Sequence, residues 1–352
     1  MLKCLRYAPD SLFKLEGIDI QNSKTSEPED KKKILTTVMN DIGFDNFNIS
    51  LSEVIQKQIE TVVLSKFQTC FGVNVSFLRE LKCVFNNRDM YEIKNIIKPI
   101  SKKCGAFIDY FHDNTICLDH DFKLKYSEFV EDATIFVSYP WSIEYSEFLD
   151  AIETYLILNQ LKETETYFYI DLVCREQFLD LKISYKYHDW VDITACRFKN
   201  LSNSLTIVGP TWEQPTLFER LWLLFEIQVA RFSNANIQFS SSNREQKRFL
   251  DFILSNNWDH ICDVVTKEID INKCKCTEKF DYDFIMNYFH NSKDGIEGLV
   301  DFIALKRLEW MIRILEMSIT LKTLKQKDIS KIENRLLKLY RLHFKPSRQL
   351  SC

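Results

Sequence analysis

Glycine and proline are scarce in this chain, seven of each in 352 residues, roughly 2% apiece against about 7% and 5% in average usage. Loops that cradle phosphate need closely spaced glycines, and neither G-x-x-x-x-G-K-[ST] nor G-x-G-x-x-G occurs; G-x-S-x-G and H-E-x-x-H are also missing. P-loop enzymes, classical dinucleotide binders, hydrolase elbows and zincins are thereby excluded. No apolar run approaches the ~18 residues that cross a bilayer, so no transmembrane segment is expected. Met1 to Pro9 lacks the apolar core of a secretory signal. The eleven cysteines are odd in number and form no dense framework, which predicts reduced thiols in a cytoplasmic setting. His260-x-Cys262 with Cys274-x-Cys276 is the one metal-like cluster. Its spacing is not a zinc pattern, so these are expected to be structural thiols, with no metal site.

What is present is globular: 45% of residues are hydrophobic, with 27 Phe and 14 Tyr, and the length exceeds what one core usually serves. The net charge of −4 is uneven, because residues 322–352 carry nine Lys or Arg against Asp328 and Glu333, leaving −11 on the rest. That balance excludes a nucleic-acid-binding body. The basic tail reads as a solvated helix face, with contact to an anionic membrane surface as the alternative.

Three regions follow from hydrophobic periodicity. Residues 1–130 read as helical, with helix starts at Ser26 with Pro28 and at the capping box Ser50 and Glu53, then apolar stripes over Phe77–Phe85 and Met90–Ile97. Residues 131–312 read as α/β. Ala133–Tyr139, Tyr167–Val173, Leu205–Val208 and Asn236–Phe239 are short apolar strands alternating with helices, which implies right-handed crossovers and a doubly wound parallel sheet. Residues 313–352 form a C-terminal helix and basic tail. Ligands in such sheets bind outside the carboxyl ends of the strands, so chemistry is expected there.

Trp222 and Glu226 are four apart and share a helix face, roughly opposite Leu217, Leu221 and Leu224. With no basic residue in local reach, Glu226 either finds a tertiary partner or sits in a cleft with a shifted pKa. Asp171 either shapes the site or accepts backbone hydrogen bonds in a turn. Ser138 lines the cleft or caps a helix. Arg220 pairs with Asp171 or with a ligand phosphate. Trp141 and Trp222 pack in the core or stack on a cationic ring. Cys174 reads as a buried thiol.

Four segments stand in order: Phe136-Val-Ser-Tyr-Pro-Trp141, Ile170-Asp-Leu-Val-Cys-Arg-Glu-Gln177, Leu205-Thr-Ile-Val-Gly-Pro210 and Arg220-Leu-Trp-Leu-Leu-Phe-Glu226. Together they resemble the Toll/interleukin-1 receptor (TIR) superfamily, nearest its branch of fungal heterokaryon-incompatibility (HET) type domains, over roughly residues 132–312. The resemblance implies a flavodoxin-like α/β sheet between N- and C-terminal helical regions. It also implies cleavage of the nicotinamide–ribose bond of NAD, with NAD as substrate and no further cofactor, by a self-associating defence or cell-death signalling protein. By position it makes Glu226 the catalytic carboxylate, with Ser138, Tyr139, Trp141, Asp171, Arg220 and Trp222 as substrate-binding residues. The chain departs from that pattern at Pro140, where enzymatic members often place an arginine, and in lacking a glycine after the tryptophan. Two other functions share these residues: a non-enzymatic adaptor acting by homotypic self-association, and a nucleoside N-glycosidic transferase or hydrolase.

Overall fold

The computed structural model describes residues 70–104, 106–108, 129–175, 187–213, 216–267, 269–276, 278–320 and 326–343. All of them belong to the compact unit of residues 67–180 and 185–352. The expected helix starts at Ser26 and Ser50 lie outside the described residues.

Strand β1 (Phe71–Val73) leads into helices α1 (Val75–Phe85) and α2 (Met90–Cys104). Strands β2 (Val130–Asp132) and β3 (Ile135–Ser138) precede α3 (Tyr145–Leu158), and β4 (Phe168–Ile170) runs into the single turn α4 (Asp171–Cys174) and then α5 (Tyr187–Leu201). After β5 (Asn203–Ile207) comes α6 (Leu221–Phe232). After β6 (Asn236–Ser240) come α7 (Asn243–Ser255), α8 (Trp258–Val265), α9 (Lys279–Asn291), α10 (Gly295–Thr320) and α11 (Gln326–His343).

The six strands form one sheet in the order β2-β1-β4-β3-β5-β6. The pairs β4–β3, β3–β5 and β5–β6 are parallel, while β1 is antiparallel to both β2 and β4. The fold is thus mixed α/β, with helices on both faces of a mostly parallel sheet. β3 shows why its segment is apolar throughout. Side chains alternate across a strand, so Ile135 and Val137 enter the core that holds Phe77, Ile93 and Phe148 of α1, α2 and α3. Phe136 enters the opposite core with Phe198 of α5 and Phe225 of α6. There it stacks on Tyr169 at 5.3 Å between ring centroids.

The sequence reading of residues 1–130 as helical misses β1. Three residues are too few to show a period-two pattern, and the telling one is Gly72. A Cβ there would lie 2.9 Å from the Ala133 Cβ and 3.0 Å from the Phe168 carbonyl carbon, so only glycine lets β1 pass its neighbours. The second strand is also shorter than Tyr167–Val173, because Asp171 opens α4 where the chain leaves the sheet. Helix starts are locally encoded. Asn74 accepts the Phe77 N–H at 3.1 Å to begin α1, Ser242 accepts the Glu245 N–H to begin α7, and Asn257 accepts the His260 N–H at 2.9 Å to begin α8.

The basic tail is not simply solvated. In α11, Ile332, Leu339 and Leu342 are buried, and its cations serve the end of α7: Lys331 donates to the Leu254 carbonyl and Arg335 to that of Asn256 at 3.0 Å. Carbonyls at a helix C-terminus are left without intrahelical donors and carry the negative end of the dipole, so cations suit them. Arg335 and Lys338 also lie over the Trp258 ring, at 5.8 and 5.1 Å. No helix among the described residues is long and apolar enough to cross a membrane.

Candidate functional site

The chain crosses from β3 through α3 to β4 on one side, then returns to β5 on the other side of β3. The carboxyl ends of β3 and β5 therefore mark the switch point where connections part. Ser138 ends β3, and its strand partner on β5 is Thr206. Alternation aims Ser138 at the α6 face, where its hydroxyl donates to Glu226 Oε2 at 2.6 Å. The next residue, Tyr139, turns to the other face, packs edge-on against Phe148 at 4.9 Å and donates its phenol to Asp171 Oδ1 at 2.6 Å. Two successive hydroxyls at one strand end thus hold two carboxyls from two other elements.

Their electrostatics differ. Burial pushes the Glu226 carboxyl up to about 8; the Ser138 hydrogen bond pulls it down, the Asp171 charge pushes it up, and Arg220 and Arg175 pull it down. Burial, then the Asp171 charge, holds the Tyr139 phenol well above its usual range, so it acts as a hydrogen-bond donor. Among the described residues no ion pair ties Glu226. The alternative of a structural ion pair is therefore not what the geometry places there: the carboxyl's partner is a hydroxyl.

The other candidate residues divide. Trp141 is half-buried and carries two cations against its ring, Lys94 Nζ at 4.0 Å and the Arg220 guanidinium at 5.3 Å. Arg220 precedes α6, and its backbone bridges to Lys275. Trp222 shares the helix with Glu226, but its indole N–H donates to Asp281 of α9 at 3.2 Å and its ring lies edge-on to Phe225. The structure thus brings together Ser138, Tyr139, Asp171, Glu226, Arg220 and Trp141, and engages Trp222 with α9. The half-buried Cys174 directs its thiol to the Phe168 carbonyl at 3.8 Å.

Three residues here escape sequence reasoning. Lys94 comes from α2, where a lysine between Ile93 and Ile97 gives no sign of facing the strand end at Ser138, 44 residues on. Arg175 stands inside the Ile170–Gln177 segment, and burial pulls its pKa down, with Asp171 and Glu226 among the charges that favour its cation. The Thr206 hydroxyl is fully buried beside Ser138 and has no hydrogen-bond partner among the described residues; only the strand register could have revealed it.

The cysteines behave differently from expectation at one position. Cys70, Cys83, Cys174, Cys196, Cys274 and Cys276 are free thiols, but Cys262 is disulfide-bonded. Cys274 donates to the Phe218 carbonyl at 3.0 Å, and burial pushes its thiol up to about 12. Among the described residues no three His, Cys, Asp or Glu are placed to hold a metal ion. A cavity of about 390 Å³ runs along β6, bordered by Gln238, Trp310, Arg313 and Tyr340, and shares no residue with the site.

No family model matches the chain, and no characterised protein or solved structure does so either.

Proposed function

We propose that this chain is a TIR-like protein that hydrolyses the nicotinamide–ribose bond of NAD, in its self-associated form. The observation that carries this reading is the Glu226 carboxyl at the switch point, held by the Ser138 hydroxyl with cations near but none paired to it. The parallel order β4-β3-β5-β6 supports it, because relabelled in chain order it is the 2-1-3-4 arrangement of flavodoxin-like sheets.

As nicotinamide leaves, positive charge develops on the ribose, as in glycoside hydrolysis. Ionised Glu226, already oriented by Ser138, stabilises that charge without reorganising. The C–N bonding pair departs with nicotinamide and water adds to the anomeric carbon. The products are ADP-ribose, nicotinamide and one proton. No covalent nucleophile takes part. Asp171, fixed by Tyr139, shapes the wall next to the sugar.

The test is nicotinamide release by the purified, concentrated protein. Wild type turns NAD over, Glu226→Gln loses about 100-fold or more, and supplying nucleosides in place of NAD gives no base release. Equal rates for wild type and Glu226→Gln would overturn the reading, and base release from nucleosides would move it to nucleoside chemistry. One observation favours the adaptor reading: both candidate indoles are already engaged, the Trp141 face by two cations and the Trp222 N–H by Asp281. An adaptor would signal equally with Glu226→Gln and fail only when self-association is broken.

A further inference from the structure

The cations around Trp141 exceed what the site's own anions use. Lys94 and Arg220 pack on one indole, both half-buried, and neither makes an ion pair among the described residues. Lys94 also faces Asp171, Lys98, Arg175 and Arg220. One ring therefore gathers like charges from the start of α6 and from α2, a helix that precedes the parallel strands in the chain. Gathering unpaired cations away from water costs free energy, and an incoming anion would recover it.

Backbone bonds fix this arrangement. The Met90 N–H donates to the Ile143 carbonyl at 3.1 Å, Tyr91 N–H to Trp141 at 3.1 Å, and Tyr145 N–H to Arg88 at 2.8 Å. The start of α2 is thereby stitched to the loop after β3, which holds Lys94 in register with Trp141. The surrounding charges are Asp171 on α4, Arg175 after it, Lys98 on α2 and Glu226 on α6.

We propose that Lys94 and Arg220, mounted on Trp141, form an anion subsite for the diphosphate of a nucleotide substrate, with α2 supplying half of it. The inference rests on the reading of this site as one for a dinucleotide, and deepens it by naming the group that is held. Two cations from separate elements match a diphosphate better than a single carboxylate, and the nearby carboxyls would face the sugar, not the phosphates. Recognition is then by charge, without the glycine-rich loop that this sequence lacks.

Equilibrium binding of ADP, inorganic pyrophosphate and adenosine to the full chain tests this by calorimetry. ADP and pyrophosphate bind and adenosine does not. Lys94→Met keeps the stem on the indole but weakens ADP about tenfold, in line with the loss of one charge-assisted contact, and Lys94→Arg restores it. ADP binding by the wild type also weakens as ionic strength is raised about tenfold, an outcome that needs no variant to fold. Adenosine binding as tightly as ADP, ADP affinity indifferent to salt, or ADP affinity unchanged in a folded Lys94→Met would each overturn the subsite. Nicotinamide release that persists beside any of these leaves the enzymatic reading standing without the subsite. Binding as described with no nicotinamide release leaves the subsite and removes the enzyme.

Discussion

On the proposed reading, Glu226 connects catalysis to folding through one proton. Its ordinary value is 4.5, and burial raises it to about 8 in the folded chain, so at pH 7 the free protein holds this carboxyl mostly protonated. A transition state that needs the anion makes kcat/KM for NAD rise with pH, with its midpoint near 8. Ser138→Ala removes the bond that favours the anion, so the midpoint moves up and the rate at pH 7 falls by about tenfold; a pH–rate series for both proteins checks this. The same shift sets a stability trend of definite sign. Between 4.5 and 8 the folded state binds the proton that the unfolded state releases, so stability falls as pH rises through this window. The cost is on the order of 5 kcal/mol at most, less whatever water relaxes at a half-buried side chain. Glu226→Gln carries no such charge. Urea titrations should find it level with wild type at about pH 5 and more stable by about 2 kcal/mol near pH 9. A constant difference across that range would remove the buried-anion account.

At the scale of elements, backbone proximity governs β1. The atoms that a Cβ at Gly72 would meet include the Ala133 Cα and the Phe168 carbonyl carbon, which are backbone atoms and cannot swing aside as a side chain could. Gly72→Ala should therefore destabilise by about 1–3 kcal/mol, read as a lower urea midpoint at constant slope. Unchanged stability would mean that β1 can shift away from β4 without loss. The central strands were legible because burial on both faces makes Ile135–Ser138 an unbroken apolar run, and helix starts were legible where a side chain caps them. β1 and β2 were not, since three residues show no period and Glu131 and Asp132 add no apolar run. Their charge suits an exposed edge. The site was legible in parts: Ser138, Tyr139, Asp171 and Glu226 each stood out in a short segment, but which hydroxyl holds which carboxyl depends on strand order. Lys94 was invisible, because its place beside Trp141 comes from the pairing of α2 with the loop after β3. The tail misled for the opposite reason, since its cations look free in sequence and are spent on the last carbonyls of α7.

For the described unit as a whole, the sheet separates two cores that share no buried residue: one with α1, α2 and α3, the other with α5 to α11. The site lies where they meet, with Ser138 directed to the second core and Tyr139 to the first. Whether they act as one body depends on the backbone between them. Ile93 on α2 and Ile285 on α9 are each fully buried, one in each core. Shortening either to valine deletes one methylene's worth of packing and should cost about 0.5–1.5 kcal/mol. If the sheet is a stiff partition, neither core repacks in response to the other, and the double variant loses the sum of the two within about 0.5 kcal/mol. If both cores belong to one cooperative unit, the urea slope stays that of wild type in all three variants while the midpoint moves. A coupling well beyond that margin would mean that β3 shifts when one face loosens. Because Ser138 and Tyr139 end that strand, the Glu226 and Asp171 hydrogen bonds would then loosen with it. Additivity at constant slope would instead mean that the site is held by a sheet insensitive to small losses on either side, as a carboxylate oriented in advance of its transition state requires.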